Sequence, residues 1–142
     1  MKVDFYIVND AKPQADWLIA CRLIDKAYQS GHQVFIFLDN QTDAFAFDEL
    51  LWSFEPQSFI PHHIQGEGPN PPPPVQIGFS SETIPKMRDV FINLSTCIPN
   101  FFKQFSRICE IVAADEQSKQ LKREHYRIYQ KHQKQIDTHQ IN

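Results

Sequence analysis

Two short runs of β-branched and aromatic residues, separated by a helical pattern, most constrain how this chain can fold. Residues 3–8 (VDFYIV) and 34–38 (VFIFL) are apolar enough to be buried strands. Between them, apolar residues recur with the period of an α-helix that Pro13 can open and Gly31 can stop. A strand, a helix and a second strand in this order predict a right-handed parallel crossover. We therefore expect an α/β sheet.

The rest of the chain continues this alternation. Further elements are predicted as a helix over 43–54, strands over 75–79, 90–94 and 108–113, a short helix over 99–105 and a last helix over 115–134. The segment 66–74 (GEGPNPPPP) is expected to be a surface loop in the polyproline II conformation. Residues 1–134 are thus predicted to form a single α/β domain, and residues 135–142 a polar, frayed tail.

The composition restricts the class of protein. A hydrophobic content of 42%, with 13% aromatic residues, excludes a disordered chain. No apolar run approaches the roughly 20 residues of a membrane span, and the amino terminus has no secretory cleavage signal. The cysteines Cys21, Cys97 and Cys109 are odd in number and lie in apolar segments. We expect them to be reduced and buried, in a cytoplasmic protein without a membrane partner.

Motifs for catalysis are missing from the sequence. The loop after the first strand, NDAKPQ, has no glycine, and no P-loop, dinucleotide fingerprint or G-x-S-x-G elbow occurs. His62 and His63 are adjacent and point apart if extended, whereas His125, His132 and His139 are too widely spaced for one metal ion. We therefore predict no catalytic residue, no cofactor and no metal. A small nucleotide hydrolase is the enzyme alternative, and nucleotide-dependent stabilisation would reveal it.

The helix predicted over 43–54 carries two apolar surfaces. The wider stripe is expected to face the sheet and consists of Phe47, Leu50, Leu51 and Phe54. Phe45 and Trp52 share a second direction, roughly 150° from that stripe. Either the chain's own loop with Phe59 or another protein must cover this second surface. The helical pattern leaves both alternatives open.

The last helix presents an aromatic ring among cations. Leu121 and Ile128 are seven residues apart and are expected to form its inward stripe. Residues on the roughly opposite side are Lys119, Arg123, Tyr126 and Arg127. Such a face suits a ligand that is both acidic and apolar, and the alternative is a solvated basic face with one incidental tyrosine.

Positive charge is concentrated in this helix. Six of the 14 lysines and arginines fall between residues 119 and 134, although the net charge is −3. The overall charge argues against a general nucleic-acid binder, whose affinity depends on phosphate neutralisation. The basic helix nevertheless keeps open an alternative function, direct binding of single-stranded nucleic acid.

Three stretches carry a family resemblance over nearly the whole chain: FYIVND, FDELLWSFEPQSFIPHHIQGEGP and SKQLKREHYRIYQ. The most specific parts are FDELLW followed by SFIPH and GEGP, and the pattern K-Q-L-x-R-E-x-Y-[KR]-x-Y of the last helix. These motifs resemble the chi subunit of bacterial DNA polymerase III holoenzyme. The resemblance implies a Rossmann-like α/β fold with a mostly parallel sheet, helices on both faces, no catalytic site and no cofactor.

The resemblance also implies a first partner, the C-terminal tail of single-stranded DNA-binding protein, which is acidic and ends in an aromatic residue with a free carboxylate. The matching positions are Val112, Lys119, Arg123, Tyr126 and Arg127. Arg123 or its neighbours would bind the terminal carboxylate, and Val112 and Tyr126 would line the pocket for the ring. Lys119 and Arg127 would attract the acidic residues upstream; other members carry Lys where this chain has Arg127.

A second implied partner is the psi subunit of the clamp-loader complex, or alternatively a helicase. The family docks this partner in the region of Trp52 and Phe59, and Phe45 shares that surface. The chain is therefore expected to be a non-catalytic adaptor that links the clamp loader to the protein coating single-stranded DNA during DNA replication. Direct contact with nucleic acid is not required for this role.

Overall fold

Strands and helices alternate along the computed structural model, which describes residues 1–55, 57–66, 73–132 and 135–141. In these ranges the elements are β1 (Lys2–Val8), α1 (Ala15–Gln29), β2 (Val34–Phe37), α2 (Gln41–Ser53), β3 (His62–Ile64), β4 (Val75–Gly78), β5 (Val90–Asn93), a 3₁₀ helix (Asn100–Gln104), β6 (Arg107–Val112), α3 (Glu116–His132) and β7 (Ile136–Ile141). None of the helices in the described ranges has the length and hydropathy that crossing a bilayer requires.

The strands form one sheet in the order β3-β4-β2-β5-β6-β1-β7, and every neighbouring pair is parallel. Crossover connections place helices on both faces of such a sheet. Helices α1 and α2 pack on one face, and α3 and the 3₁₀ helix pack on the other. The predicted single-domain α/β fold, with its parallel sheet and helices on both faces, is confirmed.

Helix α2 shows how the local sequence sets an element. The side chain of Asn40 caps it by accepting a hydrogen bond from the Asp43 amide at 2.8 Å. Phe47 and Leu51 are buried against the sheet, as their spacing predicts. Phe45 and Trp52 stay on the solvent side.

Two edge strands were not expected. Residues 62–64 form β3 beside β4, and residues 136–141, predicted to fray, pair with β1 along six positions. The prediction of a frayed tail is therefore wrong for residues 136–141, because β1 offers the segment a full row of backbone partners. His139 Nε2 also lies 2.9 Å from Oδ1 of the buried Asp4 carboxylate, which accepts its hydrogen bond. Most of the predicted polyproline loop, residues 67–72, lies outside the described ranges.

Helix α3 is rotated away from the predicted orientation. Ile128 is 41% exposed and Leu121 only partly buried, so the predicted inward stripe is wrong. The buried face instead consists of Lys122, His125 and Tyr129. These are polar side chains, and hydrophobic periodicity does not select them.

A buried carboxylate explains this rotation. Glu110 of β6 is fully buried, and its Oε1 lies 2.7 Å from Lys122 Nζ and 3.2 Å from His125 Nδ1. Its Oε2 accepts from Tyr129 Oη at 2.6 Å and from Asn93 Nδ2 at 2.8 Å. Burial alone would raise the pKa of Glu110, but the charge of Lys122 and the hydrogen bond and charge of His125 outweigh it and lower the pKa to about 2.

The cysteines do not all behave as expected. Cys21 and Cys109 are free and buried, and burial raises the pKa of each thiol to about 12. Cys97 is exposed, so the prediction that it is buried is wrong. It lies in the turn after β5, where its carbonyl accepts from Asn93 Nδ2 and Ser95 Oγ while its side chain faces solvent.

We expect Glu110→Gln to lower the free energy of unfolding by about 3 kcal/mol, because it leaves the Lys122 ammonium buried without a charge partner. Urea unfolding at neutral pH measures this. Glu124→Gln, the same change at an exposed glutamate of α3, is the control and should leave the free energy of unfolding nearly unchanged.

The pH dependence gives a second readout of the same variant. Folding depresses the pKa of Glu110 from 4.5 to about 2. The ionised carboxylate therefore stabilises the fold fully above pH 4.5, and this stabilisation is lost as the pH falls from 4.5 to about 2. The difference in free energy of unfolding between the parent and Glu110→Gln should therefore shrink as the pH falls through this range. A difference that stays constant through it would contradict the assignment.

A thiol-specific reagent should label one cysteine of the native protein. We expect Cys97 to react fully while Cys21 and Cys109 stay protected, because burial denies both access and the thiolate form. Mass spectrometry after proteolysis counts the labelled sites. Cys97→Ser should abolish native labelling, and labelling of Cys21 at the rate of Cys97 would contradict the prediction.

Candidate functional site

A cavity of about 340 Å³ lies between α3 and the sheet, next to the edge strand β7. Ten residues line it: Phe5, Ile7, Asn9, Val112, Lys119, Lys122, Arg123, Tyr126, Thr138 and Gln140. The sheet supplies its floor and helix α3 supplies its cationic wall. An apolar group and an anion can therefore be bound side by side.

The floor is built across three parallel strands. Ile7 of β1 is paired with Val112 of β6 on one side and with Gln140 of β7 on the other. The ring of Tyr126 packs on Phe5, with centroids 5.3 Å apart and planes tilted by 54°. Apolar side chains thus form a surface on which another aromatic ring can pack.

The three cations of the wall differ in their partners. Lys122 is bound to the buried Glu110, so its charge is compensated. Lys119 Nζ lies 3.8 Å from Glu116 Oε1, a weak contact with an exposed carboxylate. Within the described ranges no carboxylate lies at ion-pair distance from Arg123. Its guanidinium is therefore available to an external anion.

Four of the five residues predicted for the tail site meet in this cavity. Val112, Lys119, Arg123 and Tyr126 line it, whereas Arg127 is exposed and is not among the lining residues. Sequence reasoning missed the contributions of β1 and β7, such as Phe5 and Gln140. These residues reach the cavity because their strands pair side by side, which the sequence does not show directly. The sequence pattern of β7 is also weak, because its six residues are only partly buried or exposed.

A second candidate surface lies on α2 and the loop after it, at the other end of the sheet. The side chains of Phe45, Trp52 and Phe59 are 41%, 48% and 67% exposed. Trp52 contacts Phe59 with ring centroids 5.6 Å apart and covers the buried His62 ring at 4.0 Å. Loop residue Phe59 therefore reaches Trp52, but it leaves both rings open to solvent. We call these three residues the α2 aromatic surface.

The crevice that binds ligands in many α/β proteins is acidic in this chain. Strands β1 and β6 are neighbours whose following helices pack on opposite faces, and ligands commonly bind at such a switch point. The cavity there, of about 380 Å³, is lined by Asp10, Asp16 and Asp115, with Lys12 as its cation. Three carboxylates repel a phosphate, so this crevice is unsuited to a nucleotide.

The histidines that contact carboxylates are dispersed over separate ones. His125 contacts Glu110, His139 contacts Asp4, and His62 Nε2 lies 3.3 Å from Asp48 Oδ1. In the parts of the chain that the structure describes, no three His, Cys, Asp or Glu side chains are grouped to hold a metal ion.

Comparison with known proteins gives a consistent set of relatives. The family described as DNA polymerase III chi subunit, HolC, matches residues 1–137. The DNA polymerase III subunit chi of Pseudomonas aeruginosa is 33% identical over 140 residues, which are 99% of this chain and 96% of the relative. The subunits chi of Escherichia coli and Haemophilus influenzae are 32% and 33% identical, covering 78% and 87% of this chain and 76% and 85% of the relatives.

Proposed function

Because the chain belongs to the DNA polymerase III chi subunit family, we propose that it is a non-catalytic adaptor of the replication machinery in the cytoplasm. In this role it links the clamp-loader complex, through the psi subunit or a helicase partner, to the C-terminal tail of single-stranded DNA-binding protein. The observation that carries the proposal is the cavity beside α3, where an apolar floor adjoins the available guanidinium of Arg123.

The tail's terminal residue combines the two chemistries that this cavity offers. Its aromatic ring would pack on the floor of Ile7 and Val112 and against Tyr126. Its carboxylate would accept charge-assisted hydrogen bonds from Arg123. Lys122 would contribute its aliphatic stem, because Glu110 already compensates its charge.

Acidic residues upstream in the tail would meet the cations that remain at the surface. Lys119 lies at the cavity wall, and Arg127 lies outside the cavity in an exposed position. An exposed charge attracts an oppositely charged chain over about a Debye length and mainly speeds its association. We therefore assign Arg127 to the attraction of the tail and not to the pocket itself.

Bridging requires both partners to be bound at once, and the sheet order favours this. The α2 aromatic surface lies beside edge strand β3, whereas the cavity adjoins the opposite edge strand β7. Five strands separate these edges, which at the usual strand spacing places them roughly 29 Å apart. Each contact can be weak, since tethering raises the effective concentration of the second partner.

Direct binding of single-stranded nucleic acid by α3 remains the second candidate, supported by the concentration of cations between residues 119 and 134. The proposal is tested by titrating the protein with a short acidic peptide that ends in phenylalanine, with the same peptide amidated at its C-terminus, and with single-stranded DNA. We expect micromolar binding of the free-acid peptide and its loss on amidation. DNA binding with a steep salt dependence and no peptide binding would support the second candidate instead.

Arg123→Ala should weaken binding of the tail peptide by about 1.5–3 kcal/mol, as expected for lost charged hydrogen bonds. Calorimetric titration measures the affinity, and thermal unfolding checks that the variant is folded. Arg22→Ala, which removes an exposed arginine from α1, is the matched control. Parent-like affinity of Arg123→Ala would exclude the carboxylate role.

Trp52→Ala should lower association with the psi subunit while leaving binding of the tail peptide intact, because the two surfaces lie at opposite edges of the sheet. Co-purification with psi and the peptide titration give the two readouts. Ile84→Ala, an exposed apolar residue outside the α2 aromatic surface, is the control. Equal loss of both activities would mean that Trp52 supports the fold and not an interface.

A further inference from the structure

The α2 aromatic surface belongs to an acidic segment of the chain. Between residues 39 and 61 the chain has five acidic residues and no lysine or arginine. They are Asp39, Asp43, Asp48, Glu49 and Glu55. The surface is therefore the electrostatic opposite of the cationic cavity on α3.

Helical geometry places two of these acids between the aromatic rings. Phe45 and Trp52 are two turns apart on α2, and Asp48 and Glu49 occupy the turn between them. Glu49 is exposed, and Asp48 Oδ1 lies 3.3 Å from Nε2 of the His62 ring beneath Trp52. An apolar side chain bound between the rings would therefore have a carboxylate on either side.

The end of the helix adds to this potential. Trp52 lies in the last turn of α2, where the partial negative charge of the helix dipole is located. That turn has no basic residue to compensate it, and Glu55 follows directly. A cation over the Trp52 ring would interact with the ring face, the helix terminus and Glu49 together.

We propose that the α2 aromatic surface binds a segment of a partner protein that presents an arginine or lysine beside an apolar side chain. The apolar side chain packs between Phe45 and Trp52, and the cation lies over the indole and pairs with Glu49. This inference rests on the proposed function in taking the surface as a partner interface, and it adds the chemistry of the partner.

The opposite charges at the two edges of the sheet also direct each partner to a different surface. The acidic tail proposed for the α3 cavity is repelled by the carboxylates around Trp52, and a basic segment is repelled by Arg123 and Arg127. Each partner is thus directed to its own edge of the sheet.

The test uses two helical peptides of about 18 residues that share leucines one heptad apart. One carries arginines at the positions flanking the leucines, and the other carries glutamates there. The probe is the indole Nε1–H signal of the ¹⁵N-labelled protein. The chain has two tryptophans, and Trp17 packs on Phe47 between α1 and α2, so its signal is an internal control.

We expect the basic peptide to shift the Trp52 signal with a Kd below about 1 mM in about 50 mM salt, and to bind more weakly as salt is added. Glu49→Lys should weaken this binding at least about fivefold and improve binding of the acidic peptide. Glu82→Lys, the same change at an exposed glutamate elsewhere, should have neither effect.

Three results would overturn the inference. They are no shift of the Trp52 signal with the basic peptide at about 1 mM, equal shifts with both peptides, or equal effects of Glu49→Lys and Glu82→Lys on peptide binding. Psi binding separates this failure from that of the proposed function. If Trp52→Ala loses psi but Glu49→Lys does not, the interface stands and only the charge preference fails. If Trp52→Ala retains psi, the interface itself is misassigned.

Discussion

The contact between Glu110 and helix α3 decides the geometry of the cavity. A fully buried carboxylate is tolerated only when charges and hydrogen bonds replace the water it loses, and Lys122, His125, Tyr129 and Asn93 supply them. Three of these partners lie on α3, so the helix can satisfy Glu110 in only one rotation. That rotation turns Arg123 and Tyr126 toward the cavity and leaves Ile128 in solvent.

The parallel sheet separates the two candidate surfaces. Crossovers run in both directions from the centre of the sheet, so α2 reaches the edge at β3 and α3 reaches the edge at β7. The proposed adaptor role needs two surfaces that do not compete, and opposite edges of one sheet would provide them. The charges follow the same division, since cations are concentrated on α3, whereas the segment 39–61 that contains Trp52 has acidic residues and no lysine or arginine. A protein with a net charge of only −3 can therefore attract partners of either sign.

Much of this architecture could be predicted from short stretches of sequence. The buried strands β1, β2, β5 and β6 are mostly apolar, which is the pattern of a parallel sheet covered on both faces, although Asp4 lies inside β1 and Glu110 inside β6. Lys119, Arg123 and Tyr126 of the cavity were found because they share one face of a helix, whereas Val112 was found through the family resemblance. The rotation of α3 escaped prediction because its buried face is polar, and β7 escaped because an edge strand with one partner is only half buried.

By itself the sequence determined the α/β alternation, the aromatic pair on α2 and the concentration of cations near the C-terminus, because each depends on residues close together in the chain. The tertiary structure decided which of those cations is available. Glu110 lies 12 residues before Lys122 and compensates its charge, while Arg123, the next residue, faces the cavity. It also decided what the cavity is made of, since Phe5 and Thr138 meet through a parallel pairing of the first and last strands. Periodicity describes only what one element presents, whereas burial and pairing depend on which distant element lies beside it.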